Sequence, residues 1–352
     1  MPKIDTKDRK ILANLDMNAR MPMTELAKKV GLSRQVVEYR IKRLQKNKVI
    51  FGALAIFDSV VTGHSWYRIA FRLMNATKEQ KNELIEFLKN HKHMLWLGEV
   101  GGNWDLAMNF ICKDNFQFNR VFEEIINAYG NLIMDYEILI YVNVYDLQRK
   151  YILQDEKPRN EFFHEMKFNP KIKLDKLDNE IIRELSRNAL VSNIELGQKL
   201  NVTGNTIKNR LNQMKKNKLL LGFRLFINPS IYGYKSHMLF LEITRLDLNK
   251  EKELVNYLRS IPNTTFLVKH IGRWRYGMEI ETQNIEEFQE IFVDIRGKFS
   301  NIITNFEAFP LFKDHAIDYY PEGVLDSSDL NKTKETIAAT KEPITIATAT
   351  DK

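Results

Sequence analysis

Residues 24–52 read TELAKKVGLSRQVVEYRIKRLQKNKVIFG, and residues 194–222 repeat the pattern as IELGQKLNVTGNTIKNRLNQMKKNKLLLG. In the first stretch, a short helical pattern over 25–30 is followed by Gly31, which suits a tight turn because a left-handed backbone costs glycine little. Ser33 follows and can cap a longer helix by accepting a hydrogen bond from its first turn. The pattern therefore predicts two helices joined by a short turn.

A further helix is predicted before this pair, with Asp5 as its N-cap and apolar residues at helical spacing as far as residue 17. Thr24 is the expected cap of the short middle helix. In the long helix the residues expected to face inward are Val36, Val37, Ile41 and Leu44. In the second copy Thr203 is the expected cap, and the inward residues are Thr206, Ile207, Leu211 and Met214. Each copy therefore predicts a helix-turn-helix.

The repeat continues beyond these helices at a constant offset of 170 residues, so that Gly102 and Trp104 return as Gly272 and Trp274. This period is far longer than the roughly 20–50 residues of solenoid repeats, and each copy is therefore large enough to fold as a unit. A chain that carries two copies can do alone what a homodimer does with two chains.

Basic charge is concentrated in the two long helices. Residues 33–48 contain six basic residues and one acid, and residues 203–218 contain five basic residues and no acid. These two segments carry more positive charge than the net +8 of the whole chain. Basic charge focused on equivalent helices is the electrostatic footprint of a nucleic-acid-binding protein, although solvated helix faces of a lysine-rich chain would also produce it.

The remaining composition indicates a protein of the cytoplasm with no membrane partner. No run of about 18 apolar residues is present to span a bilayer. The N-terminus lacks the apolar stretch of a signal peptide. Cys112 is the one cysteine in the sequence, which excludes an intrachain disulfide.

The second part of each copy alternates strands and helices in the order βαββαβ, which is the ferredoxin-like arrangement. The predicted fold class is α+β, with two tandem copies of a helix-turn-helix head followed by such a domain. The predicted boundaries are head 1 at 1–58, domain 1 at 59–147, a linker at 148–173, head 2 at 174–228, domain 2 at 229–320 and a disordered tail at 321–352.

Several motifs together resemble the Lrp/AsnC (feast/famine) transcription regulators. They are Asp5-x-x-Asp8, Asn18-Ala19-Arg20, Glu25-Leu26-Ala27, Val30-Gly31-Leu32-Ser33, Val36-x-x-x-Arg40-Ile41-x-x-Leu44 and Val49-Ile50-x-Gly52. The resemblance implies that each ferredoxin-like unit is a RAM domain, which pairs with another RAM domain through its sheet and in many members binds an amino acid or similar effector. Tandem fusion departs from the usual single copy and suggests an internal pseudo-dimer, with further homo-oligomers formed through RAM domains.

We expect double-stranded DNA to contact the outward residues of the long helices. Arginine can grip guanine and glutamine or asparagine can grip adenine, whereas lysines farther along suit phosphates. Arg40 lies between the two faces, where an ion pair to Asp8 is an equally good interpretation. The predicted DNA-binding residues are Ser33, Arg34, Gln35, Tyr39, Arg40, Lys42, Arg43, Lys46, Thr203, Asn205, Lys208, Asn209, Arg210 and Lys215.

In the family, a glycine-aspartate turn between the second and third RAM strands lies near the effector pocket. Asp105 would suit an ammonium group, and Arg275, which stands in its place in the second copy, would suit a carboxylate. A β-hairpin alone would also explain the glycines. The predicted effector residues are Gly102, Asn103, Asp105, Arg273 and Arg275.

No catalytic, cofactor or metal pattern emerges, and the leading prediction is a regulator that is not an enzyme. His91 and His93 form the closest histidine pair but lack a third ligand at metal spacing. One alternative is an enzyme like the siroheme decarboxylases, which share the head-plus-RAM architecture. Another is a weakly specific architectural DNA-binding protein, which the same charges would serve.

Overall fold

The computed structural model describes residues 4–153, 160–167, 172–243 and 247–325. The helices are α1 (Thr6–Leu15), α2 (Met23–Val30), α3 (Arg34–Lys46), α4 (Lys78–Lys89), α5 (Asn115–Tyr129), α6 (Lys176–Arg187), α7 (Asn193–Lys199), α8 (Gly204–Lys216), α9 (Leu248–Ser260) and α10 (Ile285–Phe299). The strands are β1 (Ile50–Phe57), β2 (Ser65–Leu73), β3 (Met94–Val100), β4 (Leu106–Cys112), β5 (Ile133–Leu147), β6 (Glu161–Glu165), β7 (Leu220–Ile227), β8 (Lys235–Ile243), β9 (Thr264–Ile271), β10 (Tyr276–Thr282) and β11 (Ile303–Ile317). The α+β class and the two helix-turn-helix heads are confirmed.

Side-chain caps set the starts of the head helices. The Asp5 side chain accepts from the backbone N–H of Asp8, and the Asp8 side chain accepts from the backbone N–H of Asp5. The same capping box recurs at Asp175 and Asp178. Ser33 caps α3 by accepting from the backbone N–H of Val36. These bonds satisfy N–H groups that the first turn of a helix leaves unpaired.

Two details of the heads differ from the sequence-based expectation. The helix α2 begins at Met23, and Pro22 is its N-cap residue instead of Thr24. Proline fits there because it carries no N–H and has a fixed φ. Val36, expected to face inward, is 40% exposed, so that Val37 and Leu44 are the buried residues of α3.

The chain divides into two compact units, and each takes its head from one copy and its RAM domain from the other. The first unit consists of the described residues within Met1–Ala53, Val142–Glu165 and Gly222–Leu311. The second consists of those within Leu54–Tyr141, Met166–Leu221 and Phe312–Lys352. Head 1 therefore belongs with the second RAM domain, and head 2 belongs with the first.

The first unit contains a sheet in the order β11-β8-β10-β9-β5-β6, to which β5 and β11 contribute the parts that lie in this unit. The register places Tyr276 of β10 between Leu241 of β8 and Lys269 of β9. Alternate residues of these strands pack under α9 and α10, where Leu254, Leu258 and Ile295 are buried.

The second unit contains the order β5-β2-β4-β3-β11. Ile69 of β2 lies between Met108 of β4 and Ile138 of β5. The core lies between this sheet and helices α4 and α5, and it includes Leu84, Leu88, Val121 and Ile125.

The predicted linker and tail contain more structure than expected. Within 148–173, Lys150–Ile152 forms a 3₁₀ turn and β6 pairs with the end of β5. Within 321–352, Glu322–Val324 forms another turn, and Val324 and Leu325 are buried. The rest of the tail, from residue 326, lies outside the described residues. None of the described helices is long and apolar enough to cross a membrane.

Candidate nucleic-acid interface

Helix α3 presents an outward face with both polar and apolar side chains. Arg34 and Gln35 are exposed near its N-terminus, and Tyr39 is 66% exposed one turn later. The unexpected exposure of Val36 adds a branched apolar group to this face, which suits contact with a thymine methyl group. Lys42 and Lys46 are exposed farther along the helix.

Arg34 is held at the helix surface by Glu38. Its Nε donates to Glu38 Oε1 over 2.6 Å, and both side chains are more than one third exposed. An exposed pair at i,i+4 contributes only about 0.3–0.5 kcal/mol. A guanine edge can therefore displace Glu38 at little cost.

Arg40 and Arg43, both predicted to contact DNA, form ion pairs that brace α3 against the start of α1. Arg40 Nη1 lies 2.7 Å from Asp5 Oδ2 and 2.9 Å from Asp8 Oδ1, and Arg43 pairs with the other oxygen of the buried Asp8. The hydrogen bond from Arg40 lowers the pKa of Asp5 to about 2. These arginines fix the orientation of α3, and with it the exposed face that holds Arg34, Gln35 and Tyr39, which we call the reading face. The expected ion pair between Arg40 and Asp8 is confirmed.

Head 2 repeats the brace with one arginine fewer. Arg210, also a predicted DNA contact, lies 2.6 Å from Asp175 and 3.1 Å from Asp178. Gln213 occupies the position of Arg43, and burial raises the pKa of Asp178. Arg210 therefore positions α8 in the same way that Arg40 positions α3.

The reading face of α8 is neutral at its N-terminal end for a structural reason. Gly204 occupies the position of Arg34, and a Cβ there would lie 3.3 Å from the carbonyl oxygen of Asn193. Gly197 is tighter, because its Cβ would lie 2.7 Å from the carbonyl oxygen of Val202. A close approach of α7 to α8 thus favours glycine. Among the predicted DNA contacts of the second head, Thr203, Asn205, Lys208, Asn209 and Lys215 are exposed.

In the second unit, the predicted effector turn is built from its own hydrogen bonds. Gly102 has φ of +77°, a conformation that favours glycine. Asp105 Oδ2 accepts from the backbone N–H of Leu73 over 2.8 Å, and the N–H of Asp105 donates to Phe71. Asn103 is exposed in the same turn. A structural role therefore accounts for Gly102 and Asp105.

In the first unit, the arginines of the corresponding turn also have partners. Arg275 Nε donates to Glu251 Oε1 over 3.0 Å, and Lys269 lies 2.9 Å from the same oxygen. Arg273 lies 4.6 Å from the ring centre of Trp274 and 3.5 Å from Glu242. An effector carboxylate would have to compete with Glu251 for Arg275.

The histidine pair and the cysteine do not form a metal centre. The rings of His91 and His93 are 5.8 Å apart, and His93 Nδ1 lies 2.9 Å from the carbonyl oxygen of Ile111. Burial raises the pKa of the Cys112 thiol to about 12. Among the described residues, no group of three potential ligands could hold a metal ion.

Sequence reasoning missed a buried ionic cluster in the first unit. Arg149 Nη1 lies 3.0 Å from Asp16 Oδ1, and its Nε lies 3.1 Å from Glu281 Oε2. Tyr151 also donates to Glu281, and Arg224 pairs with Asp146. The cluster joins the end of α1 to the second RAM domain.

One signal in the sequence could have revealed this cluster. At the 170-residue offset, its members correspond to neutral residues in the other copy. Asp16, Asp146, Arg149, Arg224 and Glu281 correspond to Ser186, Ala316, Tyr319, Leu54 and Ile111. Charges present in one copy alone, at positions that are neutral in the other, mark an interface built differently in the two units.

The AsnC-type helix-turn-helix family model matches residues 4–45 and 174–215. The chain carries two AsnC-type helix-turn-helix domains. It is 24% identical over 157 residues to the transcriptional regulator LrpB of Bacillus subtilis, which covers 44% of this chain and 99% of that protein. It is 28% identical over 127 residues to the proline dehydrogenase transcriptional activator of Rhodobacter capsulatus, and this match covers 36% of this chain and 82% of that protein. These findings support a transcription regulator of the Lrp/AsnC type.

Among solved structures, the siroheme decarboxylase NirDL superposes with a TM-score of 0.59 at 14% identity, over 91% of this chain and 96% of that chain. The likeness shows a common tandem fold. It also overturns the prediction that the chain is not an enzyme, since a protein of the same tandem architecture is an enzyme.

Proposed function

We propose that the chain is a sequence-specific transcription regulator in which the two heads prefer different DNA half-sites. The observation that carries the proposal is the pair of capped, basic helices α3 and α8, each braced by an arginine and each exposing polar side chains. Bases are read by such side chains in the major groove, while lysines along the helix contact phosphates.

The two reading faces differ in what they can recognise. Arg34 and Tyr39 of α3 correspond to Gly204 and Asn209 of α8. A homodimer presents identical helices and selects a palindrome. These heads should therefore select an asymmetric site, with the more stringent half under α3.

Selection of bound DNA from a random pool tests this function. An enriched asymmetric motif is the expected result, and footprinting of Arg34→Ala should lose protection over one half of it. Equal shifts of selected and random DNA would indicate a weakly specific architectural protein instead. Symmetric loss of protection would contradict the division between the heads.

Two finer properties are proposed from the resemblance to Lrp/AsnC regulators. The two heads of one chain act together as an intrachain pseudo-dimer, and chains associate through their RAM domains. An amino-acid-like effector modulates them at the turn that holds Gly102, Asn103 and Asp105. Sedimentation of the full chain with and without a panel of amino acids tests both properties.

The fold shared with NirDL favours a second candidate, an enzyme acting on a siroheme-like tetrapyrrole. Buried basic side chains that such a substrate could use occur in each unit, with Arg68 in the second and His270 in the first. An absorbance titration with an iron-uroporphyrin III analogue, followed by a decarboxylation assay, tests this candidate. A spectral shift without DNA selectivity would favour the enzyme.

A further inference from the structure

The buried ionic cluster of the first unit is divided between the two copies of the repeat. Asp16, Asp146 and Arg149 belong to the first copy, whereas Arg224 and Glu281 belong to the second. Two of the ion pairs cross from one copy to the other, because Arg149 lies 3.1 Å from Glu281 and Arg224 pairs with Asp146. Asp16 and Asp146 are fully buried, and Glu281 is 1% exposed. The charges of this cluster are therefore matched when one copy meets the other.

The same place in the second unit is packed without these charges. The residues that stand at four of the five equivalent positions are buried and carry no charge, namely Leu54, Ile111, Ala316 and Tyr319. Leu54 and Ile111 belong to the first copy, and Ala316 and Tyr319 belong to the second. The fold therefore accepts a neutral core at this place as well as an ionic one.

A like pair of two first copies would bury a charge without its partner. In such a pair the end of β5 from one chain would dock on the first RAM domain of another chain, and Asp146 would meet Leu54 in place of Arg224. Arg149 would keep Asp16, since both belong to the first copy. Loss of one partner from a buried ion pair lowers an association constant by about 100-fold or more.

A like pair of two second copies would be unfavourable for the complementary reason. Glu281 would meet Tyr319 in place of Arg149, and a tyrosine carries no positive charge. Arg224 would meet Ala316 in place of its aspartate. Both buried charges would lose the countercharges that the first copy supplies.

The second unit contains an independent contact with the same selectivity. The indole N–H of Trp96, from the first copy, donates to Asp314 Oδ1, from the second copy, over 2.8 Å. The equivalents of these two residues are Phe266 and Val144, which have no polar side-chain atom. In a pair of second copies, Asp314 would face Phe266, which has no donor. Contacts in both units therefore favour the pairing of unlike copies.

We propose that the buried cluster is a specificity determinant for assembly, which lets each copy pair with the opposite copy and excludes pairing with its own kind. The partner that fits the end of β5 is a second copy of the repeat, from the same chain or from another chain. Selectivity comes from the penalty that the wrong partner incurs, as in other specific interfaces. The proposal concerns how the chain assembles, and it does not depend on the proposed function.

Competition between the three possible pairs tests the proposal. The folded chain is cut between residues 153 and 160, dissolved in urea and diluted to micromolar concentration, with both fragments present throughout. Native mass spectrometry then distinguishes the pairs by mass. Random pairing would give as many like pairs as unlike pairs, whereas we expect like pairs to remain below about one hundredth of the total. Like pairs as abundant as unlike pairs, or fragments that form no pair, would overturn the proposal.

A variant with a neutral cluster tests whether the buried charges cause the selection. Asp146→Ala, Arg224→Leu and Glu281→Ile together introduce the residues that the second unit buries at the equivalent positions, while Arg149 keeps Asp16. Like pairs should then increase by about tenfold or more. Asp146→Asn alone retains the shape of the side chain and should raise the pairs of first copies. Circular dichroism checks that each variant is folded. Like pairs that stay at the wild-type level in both variants would overturn the proposal.

An exposed ion pair between the copies provides the matched control. Arg259 Nε, from the second copy, lies 3.1 Å from Glu161 Oε2, from the first, and both side chains are at least one quarter exposed. Glu161→Gln removes one negative charge from the first copy, as Asp146→Asn does, but an exposed pair contributes little. Like pairs should stay rare in this variant. Equal increases for Glu161→Gln and Asp146→Asn would show that pairing follows the overall charge of the fragments and would reject a role for the buried cluster.

Discussion

Arg34 and Lys46 lie on the same helix and should have different effects on DNA binding when they are removed. Arg34→Ala should lower affinity for the selected site by about 1–3 kcal/mol and leave random DNA nearly unchanged, because a bidentate base contact discriminates between sequences. Lys46→Ala should weaken all sequences similarly and reduce the salt dependence. Competitive binding to selected and random duplexes at two salt concentrations measures both effects. Equal losses on the two duplexes for Arg34→Ala would reject the base contact.

At the residue scale, the sequence could predict an ion pair when both of its residues belonged to the same recognisable motif. Arg40 and Asp8 both lie in the head pattern, and their pairing is confirmed at 2.9 Å. The pair of Arg275 with Glu251 was not predicted, since Glu251 lies on α9 and no periodicity links it to the turn. Burial of Asp8 and exposure of Val36 depend on how the helices pack, which a helical period alone does not specify.

The segment around 318–325 packs against His93, and this contact should make the second unit sensitive to acid. Its backbone bonds Asp318 to Leu95 and Gly323 to Lys92, and Gly323 has no side chain where the His93 ring lies. Burial lowers the pKa of His93 to about 4, and the neighbouring charges of His91, Lys92 and His64 act in the same sense.

Because the pKa of His93 is lower in the folded state, protons favour the unfolded state. The effect begins below about pH 6.5, where the histidine of the unfolded chain becomes protonated. The free energy of unfolding should therefore be highest above about pH 6.5 and fall as the pH drops towards 4, with a loss of roughly 2 kcal/mol at pH 5. Urea unfolding followed by tryptophan fluorescence measures this, since Trp66, Trp96 and Trp104 belong to the second unit.

His93→Asn is the control, because Asn263 stands at the equivalent position and donates to the carbonyl oxygen of Glu281 over 2.8 Å. The variant should retain a hydrogen bond to Ile111 and show a flatter pH dependence. Buried His91, whose pKa burial also lowers, should account for the slope that remains. Parallel curves for the wild type and the variant would contradict this assignment.

At the element scale, strongly periodic helices were predicted and weaker signals were missed. The helices of both heads occur where the apolar spacing placed them, and the helices of both RAM domains occur in the predicted order. The strand β6 was missed because its five residues sit in a charged stretch and are held by pairing with β5, a long-range contact. The start of α2 at Met23 depended on Pro22, whose fixed φ outweighed the capping preference of Thr24.

At the scale of the whole molecule, the duplicated chain attaches its heads by different chemistry in the two units. Head 1 uses the buried ionic cluster that contains Asp16, Arg149 and Glu281, whereas the positions equivalent to these are Ser186, Tyr319 and Ile111. Removing one member of a buried ion pair leaves an uncompensated charge and is strongly destabilising. The first unit should therefore be vulnerable to a single charge change.

Glu281→Gln should destabilise the first unit by roughly 2–3 kcal/mol, less than a complete loss of pairing because Arg149 keeps Asp16. Hydrogen exchange of amides in 222–311 and in α1 should accelerate together, while 65–141 keeps its protection. Glu290→Gln makes the same charge change at an exposed position on α10 and should leave exchange unchanged. Acceleration confined to β10 would show that the cluster does not couple head 1 to the RAM domain.

Each unit combines the head of one copy with the RAM domain of the other, so the two halves of the chain, one copy each, should depend on each other. The first unit needs α1–α3 from one half and β8–β11 from the other, and the second unit needs β2–β5 and α6–α8 in the same way. Bonds within the first unit already cross the halves, since Ala19 donates to Phe223 and Leu225 donates to Asp16. A chain cut between residues 153 and 160 should therefore yield pieces that reassociate when mixed at micromolar concentration. Each piece alone should show faster exchange in its head helices than the intact chain. If the mixed halves do not associate, and their head helices are as protected from hydrogen exchange as in the intact chain, each copy folds independently.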